Sequence, residues 1–484
     1  MDRPVFNFDH SYARALPGAY LRLAPDVARD PKLVVLNETL ARSLGLDVEA
    51  LRDSAARWFS GAALPNGADP LALAYAGHQF GGFSPQLGDG RAHLLGEHVD
   101  PTGCRWDIQL KGSGRTPFSR GGDGKAVLGP MLREYLISEA MHALCIPTTR
   151  SLAVVKTGET VWREAGGLPG AVVARVAASH IRVGTFQFFA ARGDQAMLKA
   201  LTDYTIARHY PEFADAPNPA LVLFNAVADR QVRLIAEWMG VGFIHGVMNT
   251  DNMALSGETI DYGPCAFMDA YAPGTVFSSI DHQGRYAYAN QPLILAWNLA
   301  RLAETLLPQF DEDGKRAVDI ANERLGAIAG QYRVAWVDVM RRKLGLAGAE
   351  DGDGDLADGL LAAMEGQGAD WTLTFRRLAG AVAGDDSAVA PIFADPTALQ
   401  VWLPRWRARL APDAATRILA ANPAVIPRNH NVEAALNAAM DGDMAAFSNL
   451  LAAVQRPFDP EAGREVFVLP PPEGLAPIVT YCGT

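Results

Sequence analysis

Asn252 and Asp261 are the residues at which the chemistry begins. The run His245-Gly246-Val247-Met248-Asn249-Thr250-Asp251-Asn252 is followed, nine residues after Asn252, by Asp261-Tyr262-Gly263. An amide oxygen on a loop and a carboxylate on the next turn are hard ligands of the kind Mg²⁺ takes. ATP-bound Mg²⁺ usually draws only one or two ligands from protein. Upstream, Lys111 closes a run of alternating residues 21 positions after Gly90, and Glu134 lies on the helical pattern that follows. A strand-end ammonium can pair with phosphate, and a helix carboxylate can hold it there. Taken singly, Lys111 and Glu134 also read as a structural ion pair, and Asp-Tyr-Gly as an ordinary turn. All four in this order point to a site for nucleotide phosphates.

The order Lys, Glu, Asn, Asp matches the phosphate-pairing and metal-binding residues of kinase-like enzymes. One position departs from them. Kinases place a base Asp five residues before the Asn, and here that place holds Val247, which cannot accept a proton. The nearest carboxylate is Asp251, beside Asn252. On the residues alone, the site belongs either to a kinase-like enzyme with a relocated base or to a protein that only binds nucleotide. His245 reads as a residue that orients the loop.

These side chains need elements to aim them. The turn Gly88-Asp89-Gly90 leads into a short apolar strand at 92–96. In 106–111, Trp106, Ile108 and Leu110 alternate with Asp107, Gln109 and Lys111, the period of a half-buried strand. Pro130 opens a helix at its first position, on which Leu132, Leu136 and Ala140 share a face. Two more strands are expected at 151–156 and 171–177. Beyond Asp194 the pattern is helical, over 195–210, 221–239, 293–307 and 315–344, with a loop-rich block at 240–292. Residues 1–80 mix short helices with loops, and 348–359 read as an exposed linker. The fold class is α+β, a strand-rich part followed by a larger helical part.

Two further constellations fail their tests. Asp351-Gly352-Asp353-Gly354-Asp355 starts like a calcium loop, but Leu356 and Ala362 stand where Gly and Glu belong. Gly121-Gly122-Asp123-Gly124-Lys125 ends like a Walker loop, but Ser119 replaces the first Gly and Ala126 the hydroxyl residue. That stretch is either a mobile surface loop or a Gly-rich turn offering N–H groups to a phosphate between Arg115, Arg120 and Lys125. The four cysteines have no zinc or redox spacing. With 484 residues, 49% of them hydrophobic, the chain can bury a sizeable core. A net charge of −11 argues against nucleic acid or an anionic membrane as partner, while leaving room for a local basic pocket. No apolar run approaches the ~20 residues that span a bilayer, and no secretory leader is visible, so a cytoplasmic protein is expected.

Longer strings carry a family resemblance: Tyr75-Ala76-Gly77-His78-Gln79-Phe80-Gly81, Gln86-Leu87-Gly88-Asp89-Gly90-Arg91, Gln109-Leu110-Lys111-Gly112-Ser113-Gly114, Ser179-His180-Ile181-Arg182-Val183-Gly184-Thr185-Phe186 and Asp281-His282-Gln283-Gly284-Arg285-Tyr286. In these the chain closely resembles the selenoprotein O family of protein adenylyltransferases, pseudokinase-fold enzymes that move AMP from ATP onto protein hydroxyls. The resemblance runs from near the N-terminus to the last residues. It implies a protein-kinase-like two-lobed fold with family-specific extensions: an N-terminal extension over 1–80, an N-lobe over 81–190, a helical C-lobe over 191–345 and a C-terminal extension over 346–484.

The resemblance also assigns roles. Gly88, Gly90 and Arg91 belong to the nucleotide-binding Gly-rich loop. Lys111 contacts phosphate and is held by Glu134. Asp123 and Gly124 contact the nucleotide, and Arg175 and Arg182 clamp phosphates. Asn252 and Asp261 bind Mg²⁺ or Mn²⁺, and Asp251 is the proton acceptor. ATP lies flipped relative to kinases, which brings the α-phosphate to the nucleophile and leaves pyrophosphate to the arginines. The implied reaction moves AMP from ATP, or UMP from UTP, to Ser, Thr or Tyr hydroxyls of protein substrates. Its rivals are a γ-phosphate kinase and an inactive ATP-binding scaffold. Cys482 matches the position, third from the end, where family members carry selenocysteine or cysteine. An oxidative cross-link to it near the site would use Cys265.

Overall fold

The computed structural model describes residues 5–164, 166–461, 464–475 and 478–480. The chain opens with β1 (Phe8–Asp9), α1 (Ser11–Ala15), β2 (Tyr20–Arg22), β3 (Lys32–Leu36), α2 (Glu38–Ser43), α3 (Val48–Trp58) and β4 (Leu71–Leu73). A small hairpin follows, β5 (Gly77–Gln79) and β6 (Gly82–Ser84), and then β7 (Ala92–Val99), β8 (Arg105–Lys111) and β9 (Ala126–Val127). Helix α4 (Leu128–Ala143) precedes a long hairpin of β10 (Arg150–Arg163) and β11 (Gly166–Ala177). Nine of these strands form one antiparallel sheet among the described residues. Its order is β2-β4-β7-β8-β11-β10-β3, with β1 on β7 and β9 on β11. Strands from the first 80 residues thus share the sheet with those that follow. The loops expected there hold four strands of it.

The sheet is covered on both faces. Leu40, Leu51 and Phe59 of the α2–α3 region pack on Leu95, Ile108, Leu110, Val155 and Val172. The opposite face joins a larger core that includes α4 and the helical half. For this reason the alternation in β8 does not produce a half-buried strand. Asp107, Gln109 and Lys111 are buried as well, and each is paired: Asp107 with Arg208 (2.8 Å) and Gln109 with Asp89 (3.0 Å), with Lys111 discussed below. A buried polar group needs such a partner. Helix α4 begins two residues before Pro130, which sits in its first turn, and Leu132, Leu136 and Ala140 are buried as expected.

The helical half contains α5 (Val183–Ala190), α6 (Gln195–His209), α7 (Pro219–Val241), a two-stranded ladder of β12 (Phe243–Ile244) and β13 (Ala266–Phe267), α8 (Gln291–Phe310) and α9 (Gly314–Lys343). Its central helix shows why the sequence folds locally. The Asn218 side chain accepts from Leu221 N, Pro219 takes the first position, and Gly242 closes α7 in the left-handed region. Helices α10 (Asp353–Met364), α11 (Trp371–Ala381), α12 (Thr397–Arg407), α13 (Ala414–Ala421), α14 (Asn429–Met440), α15 (Ala445–Val454) and α16 (Glu465–Val468) complete the chain. The expected linker at 348–359 is therefore mostly helix. Asp353 in its middle is buried against Arg341 (2.7 Å) and Arg409 (2.9 Å), and those partners make an acidic run part of the core. No helix among the described residues is long and apolar enough to cross a membrane.

Arg428 ties this last part to the ladder behind the site. Its guanidinium donates to Asp269, to both oxygens of Asp370 (2.8 and 3.1 Å) and to the Val468 carbonyl (3.0 Å). It is fully buried. Arg428→Ala leaves two carboxylates without their cation, and breaking a buried pair in this way costs about 3–5 kcal/mol. Urea denaturation at neutral pH should show a loss of that size.

Candidate active site

The cleft between the sheet and the helical half holds a cavity of about 660 Å³. The strand ends of β7, β8 and β11, the loop between β8 and β9, and the loop between β12 and β13 all contribute to its wall. Seven Lys or Arg side chains line it against four Asp, in a chain whose net charge is −11. A pocket with that excess of cations attracts an anion.

At its base lies a knot of buried charge. Lys111, the last residue of β8, donates Nζ to Glu134 Oε2 (2.5 Å) and Asp261 Oδ1 (2.6 Å). Arg175 on β11 donates Nε to Glu134 Oε1 (2.8 Å) and Nη2 to Asp261 Oδ1 (2.6 Å). Arg182, the residue before α5, reaches Asp261 Oδ2 (3.4 Å) and the Asp251 carbonyl (2.9 Å). Burial opposes ionisation of Asp261, but Arg175, Lys111 and Arg182 outweigh it and hold the carboxyl well below the usual range. The same contest, won by Arg175 and Lys111, lowers Glu134. Asp261 takes a left-handed backbone (φ +66°), rare for a non-glycine residue.

Asp251 stands apart from the knot. It sits in a single 3₁₀ turn, Thr250–Asn252, and is 7% exposed. Gln79 donates to its Oδ2 (3.1 Å), while its Oδ1 is buried with no hydrogen-bond partner. Burial raises its pKa to about 6; its own backbone amide, Arg182 and Gln79 offset this only in part. Asn252 donates Nδ2 to the Val247 carbonyl (3.0 Å), which leaves its amide oxygen as the end available to a ligand. His245 is buried, with its ring between the Ile260 carbonyl (2.9 Å) and the Val247 amide (3.3 Å), so it braces both loops. His180 is likewise buried, on Asp107 (3.0 Å), away from the cavity wall.

Of the residues expected at the site, Gly88, Gly90, Arg91, Lys111, Asp123, Gly124, Arg175, Arg182, Asp251, Asn252 and Asp261 all line the cavity. Glu134 does not; it stands behind Lys111 and Arg175. The Gly121–Lys125 stretch is no isolated surface loop. Gly114 N donates to the Gly124 carbonyl (3.0 Å), and a side chain on Gly124 (φ +68°) would collide with the Gly114 backbone. Arg163 pairs with Asp123 (2.8 Å) and fixes the same loop from β10.

Sequence reasoning passed over Tyr75, whose ring lies 4.5 Å from the Arg182 guanidinium, and Asp89, Gln79, Asn249 and Arg163. The first three fall in the strings that carry the family resemblance and Asn249 in the run before Asn252, but no spacing rule marks them. Cys482 lies outside the described residues. Thr480 donates its hydroxyl to the Pro264 carbonyl (2.6 Å), so the tail runs beside the Asp261 turn. Cys265 is fully buried, which pushes its thiol up to about 12.

Asn252 and Asp261 supply hard oxygens on one wall, and the orphaned Asp251 Oδ1 is a further acceptor. This donor set fits a divalent cation. Among the described residues no three His, Cys, Asp or Glu side chains are grouped to hold a metal unaided. A cation here would complete its shell from phosphate and water.

Fold and cleft together define an α+β protein with a deep cation-lined pocket for a polyanionic ligand. Comparison with known proteins is more specific. The model of the family described as "Protein adenylyltransferase SelO" matches residues 6–455, and the chain belongs to that family. It is 63% identical over 481 residues to a protein of Cereibacter sphaeroides named "Protein nucleotidyltransferase YdiU", covering 99% of this chain and all of the relative. Proteins of the same name from Rhizobium johnstonii and Rhizobium etli are 58% identical over 490 residues, covering 99% of this chain and 98% of each relative.

The raised Asp251 has a measurable consequence. Between about pH 4 and 6 the folded state keeps a proton that the unfolded state has lost, so stability falls as pH rises through that window. Above it the buried charge costs up to about 3 kcal/mol. Asp251→Asn is expected to melt above wild type at pH 7.5 and level with it near pH 4. Equal melting temperatures at both pH values would show that the carboxylate is not desolvated.

Proposed function

We propose that this protein transfers AMP from ATP, with UTP as the second donor, to Ser, Thr or Tyr hydroxyls of other proteins and releases pyrophosphate. The observation that carries the reading is the pairing of Val247 with Asp251. The position of a kinase base holds a side chain that cannot take a proton, while a carboxylate poised near pH 6 faces the same cavity. A general base works best with a pKa near the working pH. Family membership supports the same reaction.

In this reading Lys111, Arg175 and Arg182 receive the triphosphate, whose oxygens replace part of what Asp261 gives them. Arg91, Asp123 and Gly124 border the rest of the nucleotide. The acceptor hydroxyl passes its proton to the Asp251 carboxylate and attacks the α-phosphorus. The bond from that phosphorus to the bridging oxygen breaks, and pyrophosphate leaves against the guanidinium groups. Mg²⁺ or Mn²⁺ on Asn252 and Asp261 would neutralise phosphate charge. A kinase-like two-lobed arrangement, with lobes over 81–190 and 191–345 and extensions on either side, is the fold this reading implies. A cytoplasmic setting suits the ATP it consumes. Transfer of the γ-phosphate and ATP binding without transfer are the rivals.

ATP labelled at the α- or the γ-phosphate separates the three. We expect α-label alone on protein hydroxyls, with a rate that rises with pH through an apparent pKa near 6. γ-Label alone would establish the kinase, and neither label the scaffold. Asp251→Ala should abolish α-label transfer while ATP affinity stays within a few-fold, because a base acts in the transition state. Asp261→Ala should also fall to near background. A residual rate above about a tenth of wild type, a loss under ~1.4 kcal/mol, is too small for a metal ligand.

A further inference from the structure

The rim of the cavity beside Asp251 is the β5–β6 hairpin. Gln79 lines the cavity, and the next four residues, Phe80 to Phe83, lie at the surface. Phe80 and Phe83 are 37% and 43% exposed, an apolar tip that the fold leaves partly open. The tip is held firmly. Phe80 N donates to Asn249 Oδ1 (3.1 Å) and to the Tyr286 hydroxyl (3.2 Å), and its ring meets Tyr286 edge-on at 5.1 Å. Phe80 and Gly81 both take positive φ (+51° and +86°), which makes a tight turn. The His78 ring packs on Phe83 (4.8 Å) and Trp297 (5.1 Å).

Arg285 stands against this turn. Its guanidinium lies 4.8 Å from the Trp297 ring and 5.7 Å from Tyr286, and a Cβ on Gly81 would be 3.7 Å from it. Arg301, on Trp297 as well, pairs with Glu304 (2.6 Å). Arg285 makes no ion pair among the described residues, and its Nε is buried without a hydrogen-bond partner. A guanidinium stacked on an aromatic ring is partly stripped of water and held in plane, ready for bidentate pairing with a carboxylate.

We propose that Phe80, Phe83 and Arg285 dock the acceptor polypeptide, an acidic segment that lays an apolar residue on the two phenyl rings and a carboxylate on Arg285. The hydrogen bond from Gln79 to Asp251 links the platform to the base, so a hydroxyl on the seated segment lies within reach of it. The rigid tip lowers the ordering cost of binding. The proposal rests on the transferase reading, and it names the partner of the same site.

Fluorescein-labelled serine peptides that differ only in Glu, Gln or Lys near the serine test it by polarisation. Wild type should bind the Glu peptide about tenfold more tightly than the Lys peptide, as a charged hydrogen bond implies. Arg285→Glu should reverse that order, which a misfolded protein would not do, and Arg285→Lys should keep it. Phe83→Ala should weaken all three peptides alike. Binding of a fluorescent ATP analogue should be the same in every variant. Equal affinity of wild type for the Glu and Lys peptides, an unchanged order in Arg285→Glu, or no peptide binding would overturn the proposal. Tighter capture of a labelled single-stranded RNA than of any peptide would do the same. The α-label assay keeps the two readings apart. Arg285-dependent binding without α-label transfer leaves the docking surface and removes the transferase, and transfer indifferent to Arg285 does the reverse.

Discussion

Asp261 accepts from three cations that reach it from three directions, and the cleft is organised around that convergence. Lys111 comes from β8, Arg175 from β11 and Arg182 from the start of α5, while Glu134 on α4 shares the first two. Lys111, Glu134, Arg175 and Arg182 are buried and Asp261 is half-buried, so none of the buried charges is tolerable without its partners. The sheet, helix α4 and the loop between the two short strands of the helical half are therefore fixed relative to one another by a single electrostatic requirement. Asp89, 3.9 Å from Arg182, adds a third carboxylate at the edge of the knot.

The knot can form because both faces of the sheet are covered. Helices α2 and α3 close the side that Ile108 and Leu110 face, and the helical half closes the other, so the polar residues of β8 point into protein and must find partners there. Asp251 lines the same cleft but is excluded from the knot. Arg182 binds its backbone carbonyl, not its carboxylate. Two Asp residues ten positions apart consequently differ in character, one a permanent anion among cations and the other a group that exchanges its proton near neutrality. That division is what a site needs if one carboxylate is to position cations and another is to move a proton.

Outside the knot the cleft is braced from far along the chain. Thr480 bonds the Pro264 carbonyl just past Asp261, and Tyr286 and Asn249 hold the β5–β6 hairpin against the Asp251 turn. The turn that carries Asp261 and the hairpin that meets Asp251 are short irregular segments, and they keep their geometry through these bonds.

Much of this was legible in the residues. The periods of β7, β8, β10 and β11 and of α4, α6, α7, α8 and α9 mark them as strands and helices, because repeats of 2 and 3.6 are local properties. The order Lys111, Glu134, Asn252, Asp261 and the valine at 247 pointed to a phosphate site with an unusual base. What local pattern could not determine is which groups meet. Asp353 looked like a linker residue until Arg341 and Arg409 buried it, and the polar face of β8 looked exposed until Arg208 on α6, Glu134 on α4 and Asp89 met it. Lys111 and Asp261 stand 150 positions apart. The low pKa of one aspartate, the raised pKa of its neighbour in the cleft and the lack of an ion pair at Arg285 among the described residues all depend on burial and on distances of a few ångströms between such remote residues. The chemical groups and the elements that carry them follow from local pattern. Their charge and their partners come from the packed fold, because Coulomb energy and desolvation act through space, not along the chain.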